Sequence, residues 1–166
     1  MCIRDRCGAV IEIVPDDTVR DAGAMWACLR ERKVAVFESV PSLIQALLSE
    51  PAAKSPQGAL ALRWLLPTGE ALPPELARRW LERHPSIPML NVYGPAECAD
   101  DVAVHAIVSP PPLDCAHMPI GRPVPNLRLH VLDAHLMPVA TGAPGELCVA
   151  GAVSYTHLTL PTKRIV

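Results

Sequence analysis

The chain has 166 residues, of which 50 % are apolar and 19 % charged, and its formal net charge is −2 at pH 7. This length suffices for one domain with a buried core, and the apolar share excludes disorder over most of the chain. The apolar runs are shorter than the roughly 20 residues of a membrane-spanning helix, and the acidic balance does not suit nucleic acid, so we expect a soluble protein without either partner.

The two ends differ from the rest of the chain. Residues 1–6 and 153–166 resemble translated sequencing-adapter sequence, and we expect them to be non-native. Without them the net charge becomes more negative. The alternative is that they are a native N-terminal arm and a native C-terminal strand.

Strand and helix patterns alternate through the first part of the chain. The run AVIEIV at 9–14 predicts a buried strand, and a helix follows over 18–33 with Thr18 as its N-cap. VAVF at 34–37 predicts a second strand. A helix begun by a proline follows over 41–48.

The alternation continues with LRWLL at 62–66 as a third strand, a proline-started helix over 73–84, and MLNVY at 89–93 as a fourth strand. Strands separated by helices at this spacing predict an α/β fold in which helices pack on a partial parallel sheet. We assign this α/β part to 7–108.

Prolines become frequent after 108, and two further strands are predicted at 127–133 and 145–151. This pattern predicts a turn-rich β part over 109–152, the beginning of a barrel-like subdomain.

Polar clusters follow the third and fourth predicted strands, as PTGEAL and YGPAE. In open parallel sheets ligands bind at the carboxyl ends of the strands, so we expect both clusters on one edge. Gly69 and Gly94 allow close backbone approach, Tyr93 offers a ring for stacking, and Glu97 could hold Mg²⁺ through oxygen. The combination predicts a nucleotide phosphate site.

Three stretches together resemble one family: VPSLIQALL, LRWLLPTGEALPPELARRWLERHPSIPMLNVYGPAECADDV and MPIGRPVPNLRLHVLDAHLMPVATGAPGELCVAG. Their order and spacing are similar to the adenylation domains of nonribosomal peptide synthetases, within the adenylate-forming superfamily. The segment NVYGPAE is similar to that family's core motif. The resemblance covers the chain from Cys7 to about Ala152.

The resemblance implies an adenine slot between two short segments. Asn91 and the backbone of Val92 would hydrogen-bond the adenine amino group, and Tyr93 would pack against the ring. The full set of implied nucleotide-binding residues is Gly69, Glu70, Ala71, Asn91, Val92, Tyr93, Gly94 and Ala96. Read from the residues alone, Tyr93 could instead be a core aromatic, and Glu70 a carboxylate at a helix N-terminus.

Glu97 is the implied catalytic residue and metal ligand, because it would bind the Mg²⁺ that bridges the ATP phosphates. The implied reaction joins a substrate carboxylate to the α-phosphate, releases pyrophosphate and passes the acyl group to a phosphopantetheine thiol. The implied partners are an amino acid and the peptidyl carrier and condensation domains of a parent synthetase.

The resemblance also implies an amino-acid pocket and contains one departure from the family pattern. The pocket residues would be Leu65, Pro67, Val92, Asp100 and Asp101. Two adjacent carboxylates favour a basic or hydroxylated substrate. Ala96 stands where the family usually has a threonine whose hydroxyl bonds phosphate, and such a loss costs on the order of 10²-fold in rate.

Several family elements have no match in these 166 residues: the phosphate loop, the ribose-binding aspartate and the catalytic lysine. We therefore expect a central fragment of a ligase, inactive on its own. The alternatives are an acyl-CoA ligase of the same superfamily and a noncatalytic nucleotide-binding remnant. Six scattered cysteines without a CxxC pair indicate reduced thiols and a cytoplasmic location.

Overall fold

The computed structural model describes residues 8–50, 60–95, 98 and 101–151. The helices in this part are α1 (Asp16–Arg20), α2 (Ala22–Glu31), α3 (Pro41–Ser49) and α4 (Pro74–Arg83). The strands in this part are β1 (Val36–Ser39), β2 (Trp64–Pro67), β3 (Met89–Tyr93), β4 (Ala103–Ile107), β5 (Arg122–Pro123), β6 (Leu127–Leu132) and β7 (Glu146–Gly151). None of the helices in these ranges is long and apolar enough to cross a membrane.

The first five strands form one sheet in the order β1-β2-β3-β4-β5. β1, β2 and β3 are parallel, with Phe37 opposite Leu65 and Leu65 opposite Met89. β4 runs antiparallel to β3, and β5 runs antiparallel to β4. The α/β class and the parallel arrangement predicted from the alternation of strands and helices are confirmed.

The core lies between the helices and one face of this sheet. Ile44 of α3, Trp80 of α4, and Leu65 and Met89 of the sheet are all fully buried. Both helix tryptophans satisfy their indole N–H groups on backbone carbonyls: Trp26 donates to Leu47 over 3.2 Å, and Trp80 donates to Ile87 over 3.0 Å. These bonds let large polar-tipped rings fill the core without an unpaired donor.

Proline places the start of two helices. Pro41 and Pro74 each occupy the first turn of a helix, where a missing N–H costs nothing. The predicted helices 41–48 and 73–84 therefore appear almost as expected, and strand 89–93 matches β3 at both ends.

The predicted strand at 9–14 is wrong. These residues form neither helix nor strand, and Val10 and Ile13 are 92 % and 88 % exposed. The β-branched side chains favour an extended backbone, but a strand also needs a hydrogen-bonded neighbour, and no described strand pairs with this run.

The single helix predicted over 18–33 is also wrong. Asp21 interrupts it: the Asp21 side chain accepts a 3.0 Å hydrogen bond from the Ala24 N–H and so caps α2. Thr18 lies inside α1, whose N-cap is Pro15. Asp is a strong N-cap residue, and here it divides the segment into two helices.

The sheet contains two strands beyond those predicted from the sequence, β4 and β5. The later strands agree better with expectation. β6 and β7 form a separate antiparallel pair, with Leu129 opposite Val149 and His130 opposite Cys148. The predicted β-rich element after the prolines is therefore present as a small second sheet, although the proposed boundary at 108 stays a prediction.

Candidate functional site

Two polar loops leave the main sheet at the same edge. β2 ends at Pro67 and is followed by the loop 68–71, and β3 ends at Tyr93 and is followed by Gly94. Because β2 and β3 are adjacent and parallel, their carboxyl ends share one edge of the sheet. This edge is where ligands bind in open α/β sheets.

The loop 68–71 begins with a hydrogen bond to the last residue of β1. The Thr68 N–H donates to the Ser39 carbonyl over 3.0 Å. Gly69 has a φ of +77°, in the left-handed region that favours glycine, and a side chain there would first meet Val40 at 3.5 Å. Gly69 and Ala71 are exposed, so their backbone is open to a ligand.

The carboxylate of Glu70 binds the N-terminus of α3. One carboxylate oxygen accepts the Ser42 backbone N–H over 3.0 Å, and the other accepts the Ser42 hydroxyl over 2.9 Å. Ser42 is the second residue of α3, where the backbone N–H has no partner inside the helix. The contacts of Glu70 are therefore those of a carboxylate at a helix N-terminus, the alternative to a nucleotide-binding role given in the sequence analysis.

Asn91 lies buried near the carboxyl end of β3, with 6 % of its surface exposed. Its Nδ2 donates to the carbonyl of Pro119 over 2.8 Å. The amide also carries an oxygen acceptor, which is the group that an adenine amino group requires. The bond to Pro119 fixes the orientation of this amide.

Tyr93 is half-buried at the end of β3 and lies on the same face of the sheet as Asn91, two residues away. Burial raises the pKa of the Tyr93 phenol, and the neighbouring Cys98 raises it further. The ring therefore stays neutral near pH 7 and presents both a hydroxyl and an apolar face. These properties suit stacking on a purine.

The predicted pocket residues do not share one environment. Leu65 and Pro67 are fully buried, and Leu65 belongs to the main core. Val92 is 5 % exposed and faces the opposite side of the sheet from Asn91 and Tyr93. Asp101 is half-buried. Their assignment to an amino-acid pocket stays a prediction.

Three predicted site residues, Ala96, Glu97 and Asp100, lie outside the described residues. Among the residues that the structure does describe, no three of His, Cys, Asp and Glu are grouped as a metal site. The adenine-binding roles of Asn91 and Tyr93 stay predictions, and the magnesium assignment depends on Glu97 alone.

Sequence reasoning missed two residues that shape this edge. Ser42 anchors Glu70, and the backbone of Pro119 orients Asn91. Each lies 28 residues from its partner in the chain, so only the fold brings them together. One local signal could have indicated Ser42 as a binding group for a carboxylate: its hydroxyl stands at the second position of a helix that begins with proline.

A family model described as AMP-binding enzyme matches residues 6–156. The chain belongs to this family. The matched range contains both polar loops and every described strand of the two sheets.

Similar proteins include syringomycin synthase SyrB1 of Pseudomonas syringae pv. syringae, which is 33 % identical over 87 % of this chain and 24 % of its own length. A second is the L-proline--[L-prolyl-carrier protein] ligase of Streptomyces coelicolor, at 37 % identity over 87 % of this chain and 27 % of its own length. Among solved structures, IdnL1 has a TM-score of 0.79 at 22 % identity over 87 % of this chain and 30 % of its own. The likeness to IdnL1 confirms the fold.

This member of the AMP-binding enzyme family thus spans about a quarter of the length of those two relatives.

Proposed function

We propose that this chain is the central part of an amino-acid-adenylating domain of a nonribosomal peptide synthetase. The observation that carries the proposal is the placement of the 68–71 loop and the Asn91–Gly94 segment on neighbouring parallel strands at one edge of the sheet. The relatives include a syringomycin synthase and a ligase whose name joins L-proline to a prolyl-carrier protein, and the second name supports an amino acid as the substrate.

The adenine of ATP would lie between these two segments. The Asn91 amide would receive the adenine amino group, and the half-buried Tyr93 ring would pack against the purine face. The exposed backbone at Gly69 and Ala71 would form the opposite wall.

Binding ATP in this position would orient its α-phosphate for attack by the carboxylate oxygen of the amino acid. The new O–P bond forms as the bond to pyrophosphate breaks, giving an aminoacyl-AMP. Holding both reactants in one geometry is a large part of such a rate enhancement. A Mg²⁺ ion held through Glu97 would supply charge stabilisation to the phosphates.

The second step would pass the aminoacyl group to the phosphopantetheine thiol of a peptidyl carrier domain, with release of AMP. A condensation domain would then use the thioester. Leu65, Pro67, Val92, Asp100 and Asp101 would line the amino-acid pocket, and the synthetase would be cytoplasmic.

ATP–pyrophosphate exchange dependent on an amino acid tests this proposal. The complete adenylation domain that contains this chain should catalyse the exchange and then load a carrier domain, whereas the 166-residue chain alone should not. Loading of coenzyme A instead of a carrier would favour the acyl-CoA ligase alternative. Absence of exchange by the complete domain with all amino acids would favour a noncatalytic remnant.

A further inference from the structure

The loop 68–71 is attached at two positions to the segment that runs from the end of β1 into α3. The Thr68 N–H donates to the Ser39 carbonyl, and Glu70 accepts two hydrogen bonds from Ser42 through its two carboxylate oxygens. Ser39 and Ser42 thus hold the loop at Thr68 and at Glu70. The bond between the Ser42 hydroxyl and Glu70 uses side chains on both partners, so substitution of either residue removes it, whereas the bond from the Ser42 N–H is removed only by substitution of Glu70.

The contact between Ser42 and Glu70 has a defined geometry. A carboxylate that accepts two hydrogen bonds from one residue, at 3.0 Å and 2.9 Å, is held in a single orientation. The N-terminus of a nine-residue helix adds a favourable partial positive charge. Both oxygens of Glu70 are therefore engaged by the protein, and the carboxylate is turned toward α3.

We propose that Ser42 is a positioning residue that acts through Glu70 to fix the 68–71 loop, and that Glu70 serves this contact without touching the nucleotide. The proposal rests on the function proposed above, since the loop is there one wall of the adenine slot. Its displacement would widen the slot and weaken ATP binding, while the reacting groups, which lie elsewhere, keep their chemistry.

Four variants of the complete adenylation domain and one control variant test the proposal. We expect Ser42→Ala and Glu70→Ala each to raise the KM for ATP, and the Kd of a non-hydrolysable ATP analogue, about three- to tenfold. The kcat should change by less than about twofold, because binding is affected and the chemical step is not. Ser42→Thr keeps the hydroxyl and should bind ATP as the unsubstituted domain does.

The double variant Ser42→Ala/Glu70→Ala should be no worse than the weaker-binding single variant. Two residues that act only through each other show this non-additivity in a double-mutant cycle. Amide hydrogen exchange gives a readout independent of activity: Glu70→Ala should accelerate exchange at the Ser42 N–H, which loses its acceptor.

Ser49→Ala is the matched control. Ser49 is exposed on the same helix and also makes a hydrogen bond, from its hydroxyl to the Gln45 carbonyl over 2.7 Å, but it lies at the opposite end of α3. A melting temperature lowered equally by Ser42→Ala and Ser49→Ala, with the ATP KM of both unchanged, would mean that Ser42 is merely structural.

Two further results would overturn the proposal. If Glu70→Ala weakens analogue binding far more than Ser42→Ala, and the two effects add, Glu70 contacts the nucleotide directly. If all variants exchange pyrophosphate with the unsubstituted KM, the positioning proposal fails and the proposed function stands. A complete, folded domain that shows no exchange and binds no analogue contradicts both.

Discussion

Trp26 of α2 and Trp80 of α4 stack in the core, with ring centroids 6.2 Å apart and planes within 5° of parallel. His84 lies against both, at 4.6 Å from Trp80 and 5.6 Å from Trp26. Its Nε2 is buried and has no hydrogen-bond partner among the described residues. Burial, with a smaller effect of Arg83, lowers the pKa of His84 to about 4.

The chain should therefore become less stable in mild acid. Between pH 6.5 and about 4 the unfolded chain binds a proton at His84 and the folded chain does not, so stability falls as the pH is lowered through this range. The full shift corresponds to about 3 kcal/mol, and partial exposure of the ring reduces the expected loss to about 1–2 kcal/mol.

Urea unfolding followed by tryptophan fluorescence at pH 7 and pH 4.5 measures this loss. His84→Phe keeps an aromatic ring in the stack and removes the titration, so its stability should depend less on pH than that of the unsubstituted chain. His135→Phe, which changes an exposed histidine outside the tryptophan stack, is the matched control. Equal pH dependence in all three proteins would contradict the assignment to His84.

Replacing Gly121 by alanine should destabilise the protein more than replacing Gly142, which serves as the control. Both have a φ of +86°, but a Cβ on Gly121 would lie 1.9 Å from the Val104 carbonyl oxygen, whereas one on Gly142 would meet nothing within 4 Å. Gly142→Ala should cost about 1–2 kcal/mol of stability from backbone strain alone. Gly121→Ala should cost about 3 kcal/mol or more, because the β4–β5 pairing must also shift.

Thermal or urea unfolding of the two alanine variants checks this difference. A Gly121→Ala protein as stable as Gly142→Ala would show that β5 does not need its close approach to β4.

The sequence predicted those helix and strand boundaries that depend mainly on the residues of the segment itself. Pro41 predicted the start of α3, and the apolar run at 89–93 predicted β3 at its observed bounds. Sequence reasoning failed where the structure of a segment depends on a contact with another residue. Residues 9–14 have strand propensity but no described neighbouring strand. Asp21 could be recognised as a cap only once its bond to Ala24 was seen.

In the candidate site, too, the features set by local sequence were predicted and the long-range contacts were not. The motif residues and their common edge followed from chain order and parallel pairing. The anchoring contacts did not, because Ser42 and Pro119 reach their partners only through the fold.

Arg78 of α4 should stabilise the position of residues 111–112 against this helix. Its Nε donates to the Pro111 carbonyl over 3.2 Å and a terminal nitrogen donates to the Pro112 carbonyl over 2.7 Å, while the side chain also pairs with Glu75. Arg78→Lys cannot reproduce this two-pronged contact and should lower the free energy of unfolding by about 1–2 kcal/mol.

Arg79→Lys is the comparison for Arg78→Lys, since Arg79 makes one 3.3 Å bond to Gln45 and should tolerate the change within about 0.5 kcal/mol. Limited proteolysis adds a local readout, because cleavage near residue 112 should accelerate only in Arg78→Lys. Equal stability and equal cleavage of the two variants would remove Arg78 from this role.

Ala96 gives the prediction that bears most directly on catalysis. The resemblance of NVYGPAE to the core motif implies that Ala96 stands where adenylation domains usually have a threonine, whose hydroxyl would donate to an ATP phosphate. In the complete adenylation domain, Ala96→Thr should raise kcat for pyrophosphate exchange by up to about 10²-fold, because a donor aimed at transition-state charge is restored. Ala96→Val has the same branched shape without the hydroxyl and should give no such gain. An equal effect of the two substitutions would mean that side-chain volume matters at this position and a phosphate hydrogen bond does not.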